Sequence, residues 1–518
     1  MKKEVKGIIA LGGVLAVLGG GLAVMKLTDK SDSESSGSDD KSSVETTTVP
    51  QGSGDVLVSD VIGQPTSEGE GSSEQGIVSS IHVKNRDDEY DVVMTEPPTE
   101  QIAAKYNIKG CEDLDMDTGL IATIVNNVNG LQSAGIIVEN CEDFSKYGLD
   151  DPDISAELTY ESGKTVKYYV GIKNPVNAST SYFRVEGSNA VYLVENSRVS
   201  NYYKTVSDFI SKTMLASPGD ENMPLVESLV IEREDLDYRI VLEPSETSTD
   251  SNAGGTSAIH EMIEPVSAYL AAEQSTKITH GMFGLTASGV YAYRCTDDDI
   301  KSAGLDKPFC RTEMKCGDGK DYILLLSELQ SDEDNGQFCY AMFEGGKVIY
   351  TVSAEKAPWV TVMPVDIASR IMVGNTVWNI TDLSISLGTG ENEVFKLKPI
   401  DPDKEKNDSS EDFTAQLNGK DIDYERFRLF YKYLVSANAE DLAFEESVPD
   451  KEPLAVLEYT DGYIGRDYKF EFYEYSPMTV LVVVNGECRF FGSRAYVDNL
   501  MENVRRLETG EEFLTTWK

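Results

Sequence analysis

The sequence predicts an α+β protein made of three repeated units of antiparallel β-hairpins or meander with packed helices, preceded by one transmembrane helix and a disordered linker. Three observations carry this expectation. A Gly-Leu-Asp-x-Pro turn occurs twice with matching flanks, two series of prolines recur about every 150 residues, and amphipathic stretches fall between the two prolines of each unit.

Residues 1–27 read as a cytoplasmic tip and a membrane anchor. Gly7 to Met25 are nineteen uncharged, mostly apolar positions, about 28 Å as a helix and just enough to cross a bilayer. Lys2, Lys3 and Lys6 precede the run and acid-rich sequence follows it, so the positive-inside rule leaves the N-terminus in the cytoplasm. The expected location is thus the cell membrane, as a single-pass protein with the lipid bilayer as partner through residues 7–25 and the bulk of the chain extracellular. The rival reading, a cleaved signal peptide, is disfavoured because the run exceeds the usual apolar core of such peptides. The first cysteine is Cys111, which excludes lipid attachment at the end of the run.

Residues 28–76 read as the linker. They hold eleven acids against two lysines and few large apolar residues, too little to bury for ordered structure.

The whole chain has 518 residues, with 46 Lys and Arg against 89 Asp and Glu, a formal charge of −43. Such a surface repels phosphate backbones, so nucleic acid is excluded as a partner. Hydrophobic content of 40 % is ordinary for globular protein, and most of the chain should fold.

Three α+β repeat units are expected over 77–224, 225–379 and 380–518. Each opens on a hairpin ending in proline: Ser80–Pro97, Ser228–Pro244 and Leu383–Pro399. Helical periodicity then marks Asp117–Leu131, His260–Ala272 and Tyr424–Val435. Later hairpins follow at Tyr182 to Val194, Tyr340 to Val352 and Leu481 to Phe491, the last around Asn485-Gly486, a strong hairpin signal. Further helix candidates close the units at Val199–Met214, Pro364–Met372 and Ala495–Leu507, so that one unit reads ββ-α-ββββ-α.

The turn motif is architectural. Gly148 and Gly304 suit a left-handed turn, Leu149 and Leu305 plug a core, Asp150 and Asp306 start the turn, and Pro152 and Pro308 push the preceding residue extended.

Lys146-Tyr147-Gly148-Leu149-Asp150-x-Pro152, followed by a hydrophobic strand, Gly163-Lys164 and Tyr182…Val191-Tyr192, resembles domain-of-unknown-function family 4340. The close resemblance runs from Asp115 to Leu215. The second unit lacks the tyrosine before Gly304, and the third keeps only the pattern. The resemblance implies a bacterial cell-envelope protein associated with gliding-type ABC transporter components, and it implies no catalytic residues.

The candidate chemistry is sparse. Only His82, His260 and His280 occur, on separate expected elements, which argues against histidine catalysis or a multi-histidine metal site. His260 to Glu264 lacks the second histidine of a zinc-protease helix, and Ser353-x-x-Lys356 lacks the partner motifs of penicillin-recognising enzymes. Asp113, Asp115, Asp117 and Gly119 alternate like a calcium loop, but Ile124 stands where a carboxylate is needed. Asp332 to Gly336 reads as a solvated hairpin loop. Seven cysteines without a Cys-x-x-Cys leave free thiols, a Cys111–Cys141 bridge, or a pair among Cys310, Cys316 and Cys339 all open. Tyrosine clusters at Tyr202-Tyr203, Tyr291 with Tyr293, and Tyr468, Tyr473 and Tyr475 suit either packing or a binding surface.

The functional expectation is a non-enzymatic accessory or scaffold component that binds a membrane protein complex such as an ABC transporter, with no catalytic residues, cofactor or metal. The alternatives are an extracellular module binding glycans or peptides, and a hydrolase built on an acidic pair.

Overall fold

The computed structural model describes residues 57, 77–99, 101–128, 131–245, 256, 258–333, 336–377, 379–388, 392–399 and 413–515. The expected span over 7–25 lies outside these residues. Among the described residues no helix is long and apolar enough to cross a membrane. The single-pass membrane location inferred from sequence therefore has no support in the structure and is not carried further.

The α+β expectation is also corrected: the protein is mainly β, with 41 % strand against 20 % helix. An N-terminal sheet comprises β1 (Val78–Lys84), β2 (Glu89–Glu96), β3 (Lys105–Ile108), β4 (Gly135–Val138), β5 (Ile154–Tyr160), β6 (Thr165–Lys173), β7 (Thr180–Val185) and β8 (Val191–Glu195), ordered β3-β2-β1-β5-β6-β7-β8-β4. A middle sheet comprises β9 (Val226–Arg233), β10 (Ile240–Pro244), β11 (His260–Glu264), β12 (Ala268–Tyr269), β13 (Gly289–Tyr293), β14 (Cys310–Cys316), β15 (Asp321–Leu326), β16 (Gln330–Asp332), β17 (Gly336–Phe343) and β18 (Val348–Ser353). Its order is β12-β11-β10-β9-β14-β15-β17-β18-β13, with β16 beside β17. A C-terminal sheet comprises β19 (Ile380–Leu387), β20 (Asn392–Pro399), β21 (Phe413–Leu417), β22 (Lys420–Ile422), β23 (Ala439–Leu442), β24 (Ala455–Asp461), β25 (Arg466–Glu474), β26 (Thr479–Val484) and β27 (Glu487–Ser493), ordered β22-β21-β20-β19-β24-β25-β26-β27-β23.

All three follow one path. The chain meanders outward to one edge, crosses by a helix to the opposite edge strand, returns to the centre, and meanders back out.

The excess of helix expected from sequence has identifiable causes. His260–Ala272 has apolar residues at helical steps but folds as β11 and β12, because Pro265 has no amide to donate and the short turn at Pro265–Ser267 reverses the chain. The helix begins later, at Ala272–Thr279. Val199–Met214 collapses into 3-10 turns at Ser200–Tyr203 and Val206–Phe209, and Pro364–Met372 keeps only Pro364–Ile367 helical. Two short strands flanking the crossover helix in each sheet, such as β3 and β4, carry too few residues to show alternation.

Each core lies on one sheet face. Central strands alternate cleanly: Ile154, Ala156, Leu158 and Tyr160 of β5 point inward, as do Ala455, Leu457 and Tyr459 of β24. The crossover helices Thr118–Val128 and Tyr424–Leu434 cover these faces with Ile121, Ile124 and Val125, and with Phe427, Phe430 and Leu434. Opposite faces carry small clusters beneath the turn motifs, with Leu149 at 1 % exposure and Leu305 at 2 %. Gly148 and Gly304 adopt φ of 63° and 71°.

Connectors tie successive sheets together. The Met214 amide donates to the Leu285 carbonyl at 2.9 Å, and the Ala439 amide to the Arg370 carbonyl at 2.8 Å. Leu57 makes the same type of contact, donating its amide to the Leu131 carbonyl at 2.8 Å and packing on the core. Leu57 thus stands apart from the disordered linker expected over 28–76, whose other residues lie outside those described. Replacing Leu57 by alanine should lower the stability of the full chain by about 1 kcal/mol in urea unfolding. An unchanged midpoint would show that the contact adds nothing.

Candidate functional site

Residues singled out in the sequence land mostly in structural roles. His82 is exposed on β1 and hydrogen-bonds Asp91 at 2.8 Å. His260 and His280, expected on separate elements, come together with ring centroids 5.7 Å apart. His260 Nε2 meets the Val226 carbonyl at 2.7 Å, and Thr279 Oγ1 meets His280 Nδ1 at 2.8 Å. Burial lowers the pKa of both imidazoles, and for His280 the neighbouring His260 lowers it further.

Lys356 donates to the Thr286 hydroxyl while Ser353 ends β18, so the Ser-x-x-Lys spacing assembles no dyad. The seven cysteines are free thiols, and burial pushes Cys310 and Cys316 up to about 11. Among the described residues no cluster of His, Cys, Asp and Glu could hold a metal ion.

Asp113 forms a staple rather than a calcium loop. It pairs with Arg294 and Lys347, each at 2.8 Å, joining the segment after β3 to the middle sheet. These two hydrogen-bonded cations hold its carboxyl down at about 2. The unfolded carboxyl, at about 3.9, binds protons that the folded one refuses, so this contribution is full above pH ~4 and is lost as pH falls towards ~2. The buried histidines act in a higher window: the unfolded imidazoles take protons below pH ~6.5 while the folded ones resist, so stability also falls as pH drops through that value. Urea midpoints against pH should show both declines, and Asp113→Asn should flatten only the lower one.

One candidate site is a groove of about 310 Å³ beside the edge of the C-terminal sheet, where β23 and β27 face the segment after β18. One wall is Met363, Pro364 and Val365. It is anchored from behind by Trp359, fully buried, whose indole N–H donates to the Ile278 carbonyl at 2.9 Å. Arg233, its side chain 5 % exposed, donates to the Val362 carbonyl at 2.6 Å while paired with Asp235 at 2.6 Å.

The other wall follows β23, where Leu442 and Phe444 line the groove. The Ala443 amide donates to the Arg489 carbonyl at 2.9 Å, fixing this wall to β27. Phe444 meets Tyr238, from the β9–β10 turn, edge-on at 5.0 Å. Phe491 of β27 meets Tyr475 at 4.8 Å. The Tyr475 hydroxyl donates to Glu446 at 2.9 Å, and that carboxylate raises its pKa. Burial raises the Tyr238 pKa, with the Glu445 charge adding to the effect.

Three carboxylates, Asp441, Glu445 and Glu446, line this space, and among the described residues no lysine or arginine pairs with them. Apolar side chains stand exposed at the groove and beside it: Val365 at 50 % and Tyr475, which meets Phe491, at 53 %. The groove thus sets aromatic and aliphatic surface beside charged groups.

A wider cavity of about 530 Å³ lies on the polar face of the C-terminal sheet. Asp382, Glu458, Thr460, Asp467 and Lys469 line it from neighbouring strands, with Tyr468 at one side.

Of these features the sequence had marked only the tyrosine cluster containing Tyr475. Tyr238, Val365 and Phe444 come from different stretches of chain and carry no local motif. The turn residues Gly148, Leu149, Asp150 and Pro152, and Gly304, Leu305, Asp306 and Pro308, do not line this groove.

No curated protein and no solved structure matches the chain. The turn motif's resemblance does hold: residues 107–308, running from β3 through both Gly-Leu-Asp-x-Pro turns, match the model of the family described as Domain of unknown function (DUF4340).

Proposed function

We propose that the protein is a non-catalytic binding scaffold that docks another protein in the groove formed by Tyr238, Val365, Phe444 and Phe491. The observation that carries this reading is the exposed apolar rim next to three carboxylates that no lysine or arginine among the described residues pairs with, on walls fixed by Trp359, Arg233 and the Ala443 amide. Preorganised walls lower the ordering cost of association and suit recognition of a protein segment. At about 310 Å³ the groove is at the lower end of the ~300–1,000 Å³ of small-ligand pockets, enough for one or two side chains. The resemblance to envelope proteins that accompany transporters makes ABC transporter subunits the first candidates.

The test is affinity recovery of the full-length protein after crosslinking in its native cells. Wild type should recover a specific partner, and the surface change Val365→Arg should lose it. A partner recovered equally by Val365→Arg would place docking elsewhere, and recovery of nothing above background would end the proposal.

The wider polar cavity favours a second reading, a glycan-binding module, since Asp382, Glu458, Asp467 and Lys469 offer several hydrogen-bonding groups to the hydroxyls of a sugar. Loss of glycan-array binding in Lys469→Ala would support it, and no binding by wild type would end it.

A further inference from the structure

We infer that the groove receives a cationic side chain, a lysine or arginine projecting from an extended segment of the partner. The inference rests on the docking reading above and adds the chemistry of the occupant. It stands on a comparison within the molecule.

In the N-terminal sheet the protein surrounds its own cation with aromatic rings. The Arg184 guanidinium lies 4.3 Å from the centre of the Phe144 ring and 4.7 Å from that of Tyr169. The Tyr169 hydroxyl donates to Glu186 at 2.9 Å, so a carboxylate stands at the edge of this aromatic sandwich.

The groove repeats these parts without the cation. Tyr475, beside the groove, likewise donates its hydroxyl to a carboxylate, Glu446, at 2.9 Å, while its ring meets Phe491 of the groove at 4.8 Å. Tyr238 and Phe444 form a second aromatic pair, and Asp441 and Glu445 add two more carboxylates. Among the described residues no lysine or arginine lies over any of these four rings. Nearby cations are engaged elsewhere: Arg494 with Glu474 and Asp498, Arg489 with Glu487, and Lys451 with the Glu474 carbonyl.

Ring faces are negative and attract a cation held within about 6 Å, more strongly where water is excluded. Carboxylates beside them add charge-assisted hydrogen bonds. A neutral apolar side chain would fill the same space and leave those acceptors to water. The chain's formal charge of −43 also steers a basic partner towards it at long range, though it cannot by itself select this groove.

The test titrates full-length protein at physiological salt with two peptides, acetyl-Gly-Leu-Lys-Leu-Gly-amide and the same peptide with glutamine for lysine. The lysine peptide should bind about tenfold more tightly. The Glu445→Gln, Glu446→Gln double variant should erase that preference. The control Asp297→Asn, Asp298→Asn, with the same change in charge on a distant exposed turn, should keep it. Equal binding of the two peptides, binding of neither, or equal weakening by both double variants would overturn the inference. Partner recovery is read separately: a partner lost in Val365→Arg while the peptides show no preference would leave the scaffold reading standing and remove only its cationic occupant.

Discussion

Replacing Gly171 by alanine should destabilise the protein by about 3 kcal/mol or more, well above an ordinary surface substitution. Gly171 lies in β6 directly under the Gly-Leu-Asp-x-Pro turn. A Cβ there would overlap the Tyr147 carbonyl oxygen and stand 3.1 Å from both the Gly148 carbonyl oxygen and Leu149 Cδ2. Two of these obstacles are backbone, so the turn must lift off the sheet and withdraw Leu149 from its cluster. Gly304→Ala in the second turn is the internal control. It keeps the left-handed strain at φ 71°, but its Cβ would meet only Ser327 Cβ, at 3.9 Å. That change should cost about 1–2 kcal/mol. Urea unfolding of both variants decides the matter, and equal costs would mean that the first turn does not press on β6 as described.

Trp359→Ala should cost about 3–5 kcal/mol, the range for removing a fully buried aromatic. Trp359 sits at 0 % exposure between the helix Ala272–Thr279 and the sheet, and its ring lies 3.1 Å from where a Cβ on Gly281 would stand. Deleting it leaves a large cavity and an unpaired Ile278 carbonyl. It also removes the anchor for Met363, Pro364 and Val365. Hydrogen exchange across 357–365 should therefore quicken beyond what the global loss explains, and partner docking should weaken although Trp359 does not line the groove. Trp359→Phe should retain much of the packing and restore most of both. Unaltered exchange across that wall would break the link between core and groove.

The difference between what the sequence disclosed and what it concealed follows from range. Hairpins depend on neighbours in the chain, so β1–β2, β9–β10 and β26–β27 were legible from period-two alternation and from Asn485-Gly486, which takes φ of 52° and 86°. Helices were overstated because a three- and four-residue step also arises where a strand, a turn and a second strand follow one another, as at His260 to Tyr269. The turn motif was visible because it is local and occurs twice, yet its closest contact, Gly171, lies some twenty residues downstream with nothing to mark it.

The groove was hidden for the same reason. Tyr238 belongs to a turn of the middle sheet, Val365 to the segment after it, Phe444 to the chain after β23 and Tyr475 to the end of β25. Packing of the C-terminal sheet against the middle one brings them together. The tyrosine-rich segment 468–475 was the single local hint, and Tyr459, Tyr468 and Phe470 stacking beside it shows how readily such a cluster serves packing instead.

The central claim is that a protein partner docks in this groove. The most direct test is a photo-crosslinking amino acid placed at Val365 in the full-length chain, compared in native cells with the same probe at Ile172, an exposed site on β6 at 45 % exposure. A discrete adduct with one protein is expected from position 365 and none from position 172, with loss of the adduct when Phe444 is also replaced by alanine. Adducts of equal yield from both positions, or no adduct from position 365, would contradict it.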